Sequence, residues 1–115
     1  MTHVITFDRP GALMNLNDRT HWAVKMKLVK AWRTAARLAS AGVPLLGRSL
    51  VSVDLPVRSA KKLRDPSNWV PTVKAIVDGI TDAGVWPNDD SRYVVTEEPS
   101  FHQGGQTVTV AVTPC

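Results

Sequence analysis

Four aspartates and one lysine crowd into one stretch of this 115-residue chain: Asp65, Lys74, Asp78, Asp89 and Asp90. Lys74 and Asp78 are four positions apart, so a helix through them puts both side chains on one face. Asp65 falls in "RDP", a loop sequence just before that helix, and Asp89 and Asp90 fall in "PNDD", just after it. If the strands flanking the helix are neighbours in a sheet, both loops bring carboxylates to one edge. Such a cluster repels itself unless a hard divalent cation or the Lys74 ammonium offsets it. Ligation by carboxylate and water is what magnesium prefers. Singly, each piece has a plain structural reading: Lys74 with Asp78 is a surface pair worth about 0.3–0.5 kcal/mol, and both loops are good turn formers. Only the joint arrangement points to chemistry.

The charge distribution agrees with that arrangement. Between Arg19 and Arg64 there are eleven cations and one acid, Asp54, whereas between Asp65 and Glu98 there are seven acids and two cations, Lys74 and Arg92. The net charge is +4. A basic half beside an acidic half suits a protein that holds a polyanion and acts on it with cation-bound carboxylates. A merely solubilising surface is the competing reading.

The elements that must position these residues follow from periodicity and punctuation. "HVITFD" reads as a strand ended by Pro10 and Gly11. "NDRTHWAVKMKLVKAWRTAARLASAG" reads as one long helix capped by Asn17 and stopped by Gly42 and Pro44. On it Val24, Leu28, Ala31, Trp32, Ala35 and Ala39 share one side, and Lys27, Lys30, Arg33 and Arg37 the other. "LVSVDLPVR" alternates as a half-buried strand with Val51, Val53, Leu55 and Val57 inward, and Pro56 argues for a sheet edge or a bulge. Asn68 caps a second helix that tolerates Pro71 in its first turn, with Val70, Val73, Val77 and Ile80 at helical spacing and Gly84 at its end. "RYVVTEE" and "QTVTVAVT" read as two further strands joined by a Gly-containing loop. The expected fold class is α+β: a single small domain, β-α-β-α-β-β, with helices packed on a mixed sheet.

Composition narrows the rest. The chain is long enough for one core and too short for two. No apolar run approaches the ~20 residues of a membrane span, and the N-terminus lacks the layout of a signal peptide, so a cytoplasmic protein is expected. The only cysteine is Cys115, which leaves no internal disulfide and no thiolate metal site within one chain. Trp32 falls on the apolar helix face. Trp22, Trp69 and Trp86 adjoin polar residues and are read as packing at a core edge or an interface before being read as intercalating wedges.

The stretch "RDPSNWVPTVKAIVDGITDAGVWPNDDSRYV", Arg64 to Val94, resembles the signature of RusA-type Holliday junction resolvases, especially the variants of actinobacterial phages and prophages. "NLNDRTHW" is similar to the segment that opens the first helix in those variants. The resemblance implies a RusA-like fold and a magnesium-dependent endonuclease, with manganese as an alternative ion, that resolves four-way junctions by paired nicks. It implies that Asp65 and Asp90 are catalytic metal ligands, with Asp89 and Asp78 completing the site. Lys74 would lie near the scissile phosphate, and Asn68 would support the site. Ser67 departs from the pattern, since many members carry a second catalytic aspartate there. The basic set Lys27, Lys30, Arg33, Arg37, Arg58, Lys61, Lys62 and Arg64 would grip the DNA backbone without reading bases. A junction has near two-fold symmetry, so a homodimer with one site per subunit is expected. The alternative is a branched-DNA-binding protein of the same fold that is catalytically weakened or inactive.

Overall fold

The computed structural model describes residues 1–14, 21–57 and 69–115. In chain order they form β1 (His3–Asp8), α1 (Trp22–Ala39), β2 (Ser49–Val57), α2 (Val70–Asp82), β3 (Val94–Thr96), β4 (Ser100–Gln103) and β5 (Thr107–Pro114). The sheet is mixed, in the order β1-β5-β2-β3, with β4 also paired to β2. β5 runs antiparallel to β1 and β2, while β3 and β4 run parallel to β2. A parallel pair needs a crossover, and α2 supplies it between β2 and β3. The result is the small α+β domain expected, two helices on one five-stranded sheet.

Sequence periodicity and structure part company at three places. β4 lies in what the sequence reads as a loop. It continues the line of β3 along β2, with Val51 opposite Thr96 and Asp54 opposite Ser100, so Glu97, Glu98 and Pro99 face only Ser52 and Val53. The Glu97 amide still donates to the Val51 carbonyl at 2.9 Å, but Pro99 has no N–H to give, and the extra residue bulges out. Secondly, β2 is an interior strand. Its ladder with β5 stops at Asp54, so Pro56 removes no hydrogen bond on that side and its edge-like signal is purely local. Thirdly, α1 begins at Trp22, after a non-helical His21 (φ −51°, ψ 136°) whose Nδ1 accepts from the Ala23 amide. The expected cap, Asn17, lies outside the described residues. At 18 residues α1 is about 27 Å long.

The core lies between the helices and one face of the sheet. Alternation in β2 and β5 puts Val51, Val53, Leu55, Val108, Val110 and Val112 inward, each at most 2% exposed. α2 buries Val73, Ile76, Val77 and Ile80 against them, and Trp86 and Trp69 close the cluster. α1 contributes Trp32 and Ala36, both fully buried, with Leu28 and Val29 partly so. Its buried seam is rotated from the expected one: Val24 is 55% exposed, and Ala36 takes the central place. The rotation follows from a second partner. α1 packs on α2 as well as on the sheet, and a Cβ at Gly79 would fall 2.2 Å from the Arg33 carbonyl oxygen and 2.8 Å from the Ala36 Cβ. Two buried polar ties fix the segment before α1: Trp32 Nε1 donates to the Ala12 carbonyl, and the Thr72 hydroxyl both accepts from the Met14 amide and donates to its carbonyl.

Candidate active site

α2 carries the chemistry-bearing residues at helical spacing. Lys74, Asp78 and Asp82 follow one another four residues apart, on the side of the helix away from the sheet core. The Lys74 ammonium donates to Asp78 Oδ1 and to Asp89 Oδ2, each at 3.0 Å. Asp89 reaches Lys74 from the turn after the helix. Gly84 opens that turn at φ 85°, a left-handed conformation that glycine adopts without cost. Val85 and Trp86 are buried, and Trp86 Nε1 donates to the Thr81 hydroxyl, so the loop is anchored back on the helix it leaves.

The two adjacent aspartates have different partners. Asn88 Oδ1 accepts from the Asp90 amide, and Asp90 Oδ1 accepts from the Arg92 amide, which closes a pair of side-chain turns. The Arg92 guanidinium then takes the Asp90 carboxylate through Nε and Nη2. Asp89 therefore joins the Lys74 cluster, while Asp90 is paired with Arg92. Asp65 and Asn68, with the basic run of Arg58, Lys61, Lys62 and Arg64, lie outside the described residues. Among the described residues no group of three or more His, Cys, Asp or Glu is close enough to hold a metal ion.

Electrostatics make this a set of charged groups at neutral pH. The hydrogen bond to Asp89, and next the one to Asp78, raise the Lys74 pKa above its ordinary value. The Asp89 carboxyl is held below the ordinary range, first of all by the hydrogen bond it accepts from the Lys74 ammonium. Asp90 is lowered by Arg92 in the same way.

Asp82, not singled out in the sequence, completes the network. Arg33 of α1 makes a two-pronged ion pair with Asp82, Nε to Oδ2 at 2.5 Å and Nη2 to Oδ1 at 2.8 Å. Each raises or lowers the other: Arg33 is pushed up and Asp82 down. The signal was present, since Asp82 is one turn beyond Asp78, but its partner is on a different helix. Arg33 is thus already engaged by Asp82, whereas Lys27, Lys30 and Arg37 extend from α1 as exposed cations. A second cluster, also unread in the sequence, lies on β2 and β4: Asp54 accepts from the Ser100 hydroxyl and pairs with His102 Nδ1. It depends on the β4 register and so was invisible without that strand.

Of the tryptophans, Trp32, Trp69 and Trp86 are buried, and Trp22 is 71% exposed, stacked beside the His21 ring. Among the described residues no helix is long and apolar enough to cross a membrane. No family model matches the chain, and no curated protein matches it.

Proposed function

We propose that the chain is a metal-dependent, structure-selective DNA endonuclease that nicks branched DNA in the cytoplasm of a bacterial or phage-infected cell, acting as a homodimer on four-way junctions. One observation carries the reading: Lys74 is bound by Asp78 and Asp89, which come from α2 and from the loop that follows it. A lysine among carboxylates is a suitable site for a phosphodiester, whose phosphoryl oxygens need a cation and whose hydrolysis needs a positioned water. The exposed Lys27, Lys30 and Arg37 add a backbone grip, and the resemblance over residues 64–94 supplies the substrate class.

The available donors are hard carboxylate oxygens, the kind magnesium or manganese takes. Asp89 and Asp78 would hold the ion with Asp65, and Asp90 would join them by releasing Arg92. Bound there, the ion would lower the pKa of a water and stabilise the leaving oxygen. Lys74 would offset charge on the non-bridging phosphoryl oxygens, and Asp78 would orient Lys74.

The test is nicking of a synthetic four-way junction by purified protein in magnesium, repeated with Asp65→Asn, Asp89→Asn and Asp90→Asn. Losing one ligand should slow cutting about a hundredfold or more. Unaltered cutting by both Asp65→Asn and Asp89→Asn would sink the assignment. One observation favours a binder that no longer cuts. Asp78 and Asp89 are both already engaged by the Lys74 ammonium, and Ser67 stands where many of the resembling enzymes have a carboxylate. Junction binding in EDTA, with no nick in magnesium or manganese, would establish that second reading.

A further inference from the structure

Beside the Lys74 cluster is a cleft of about 370 Å³ between α2 and the place where β3 gives way to β4. Its floor is aliphatic: Val73, Val77 and Val94 are less than a tenth exposed, and Val70, at 49%, stands at its mouth. Lys74 and Asp89 belong to the α2 side of the same opening, and Thr96, Glu97 and Glu98 to the strand side. The Glu97–Pro99 bulge creates that second wall, because Pro99 cannot continue the ladder on β2.

A ligand filling this space must be flat or small and apolar in its middle. It must carry negative charge only toward Lys74 and present hydrogen-bond donors toward Glu97 and Glu98. Duplex backbone fails the last condition, since its phosphates would meet the carboxylates. A nucleotide meets all of them if its phosphate lies at Lys74 and its base, which is uncharged and bears N–H donors, turns inward. A paired base is held in its stack and cannot enter, whereas one at a branch point is already loosened. We propose that this cleft receives an unpaired nucleobase adjoining the scissile phosphate, so that structure selectivity comes from the cost of freeing that base. The proposal rests on the endonuclease reading and deepens it.

The test places 2-aminopurine, which brightens on unstacking, next to the nicked phosphate of a four-way junction and follows fluorescence after mixing with the full chain in magnesium. The parent should brighten the probe before the nick. Val70→Trp and Thr96→Trp, each at an exposed position lining the cleft, should abolish the rise and slow nicking about tenfold or more while junction affinity is kept. Val4→Trp, at an exposed position on β1 at the opposite edge of the sheet, should behave as the parent. Far-UV dichroism and melting of both cleft variants check folding, and either folded variant suffices. A parent that nicks without brightening the probe overturns this inference alone, as do folded cleft variants that nick at the parental rate. A parent that neither binds nor nicks the junction overturns the endonuclease reading and this inference with it.

Discussion

Gly79→Ala should destabilise the protein although alanine is the better helix former. An alanine Cβ would meet the Arg33 carbonyl oxygen at 2.2 Å, and ordinary contact begins at 3.4 Å, so α1 and α2 must part by about 1.2 Å at that point. The obstacle is backbone, which cannot swing aside as a side chain would. Overpacking of this kind costs about 1–3 kcal/mol and more where backbone must move. Separating the helices also loosens Trp32 and Ala36 where they enter the core. Alanine's propensity returns about 1 kcal/mol. With the cost at the upper end, about 3 kcal/mol, because the obstacle is backbone, the expected net loss is about 2 kcal/mol, or a fall in Tm of about 8 °C at roughly 4 °C per kcal/mol for a domain of this size. Urea and thermal unfolding followed by dichroism measure it, with Gly42→Ala as control, because nothing lies within 4 Å of that Cβ. The control should stay within about 0.5–1 kcal/mol of the parent. If Gly79→Ala is as stable as Gly42→Ala, the close approach of the helices is refuted.

Thr72→Val removes the hydroxyl that satisfies both the amide and the carbonyl of Met14 in a fully buried site, and should cost about 1–3 kcal/mol by urea titration. Asp82 has a folded pKa lowered by Arg33, so its contribution is complete above its ordinary 3.8 and is lost as pH falls through the lowered value. Asp82→Asn should therefore be less stable than the parent at pH ~7 by about 0.5 kcal/mol, the scale of surface pairs, with the gap closing below the ordinary carboxylate range. On DNA, Lys30→Ala should reduce the slope of log affinity against log salt by about 1. Arg33→Ala should reduce it by less, because Asp82 already holds that guanidinium; equal slopes would show that Arg33 reaches phosphate after all.

Much of the fold was legible because its signals are local. The alternation of β2 as far as Leu55 and of β5, the spacing of the α2 valines and the stop at Gly84 are each local to one element, and each matches the structure, whereas Pro56, read as outward, is buried. What was illegible depends on partners distant in sequence. The seam of α1 turned toward Ala36 because α2 comes close at Gly79, and no helical wheel of α1 alone contains that fact. β4 is four residues of mixed polarity, ordered by its register on β2 more than by its own propensity. In the site, the Lys74–Asp78 pair could be read from spacing alone. The choice between Asp89 and Asp90 could not, since it is made by Arg92 and the two side-chain turns at Asn88 and Asp90.

The same network constrains how the molecule could meet a polyanion. Asp78, Asp82 and Asp89 carry three negative charges, and Lys74 and Arg33 two positive ones, so the cluster on top of α2 is net −1 and supplies no long-range attraction for a polyanion, although the Lys74 ammonium, 64% exposed, is open to a single phosphoryl oxygen. On the endonuclease reading proposed above, attraction is assigned elsewhere, to Lys27, Lys30 and Arg37 along α1 and to the cations of the sequence between Arg58 and Arg64. Affinity and chemistry are then assigned to different elements, which makes them separable by mutation. Removing cations from α1 acts on a field that salt screens over about 10 Å and should weaken all DNA alike. Removing Lys74 or Asp89 acts at contact distance, on groups already paired with one another, and should leave affinity nearly unchanged while altering what happens to the bound phosphate. A cluster that was merely a stabilising surface network would show the opposite pattern, a change in melting temperature with no change in any DNA-dependent quantity.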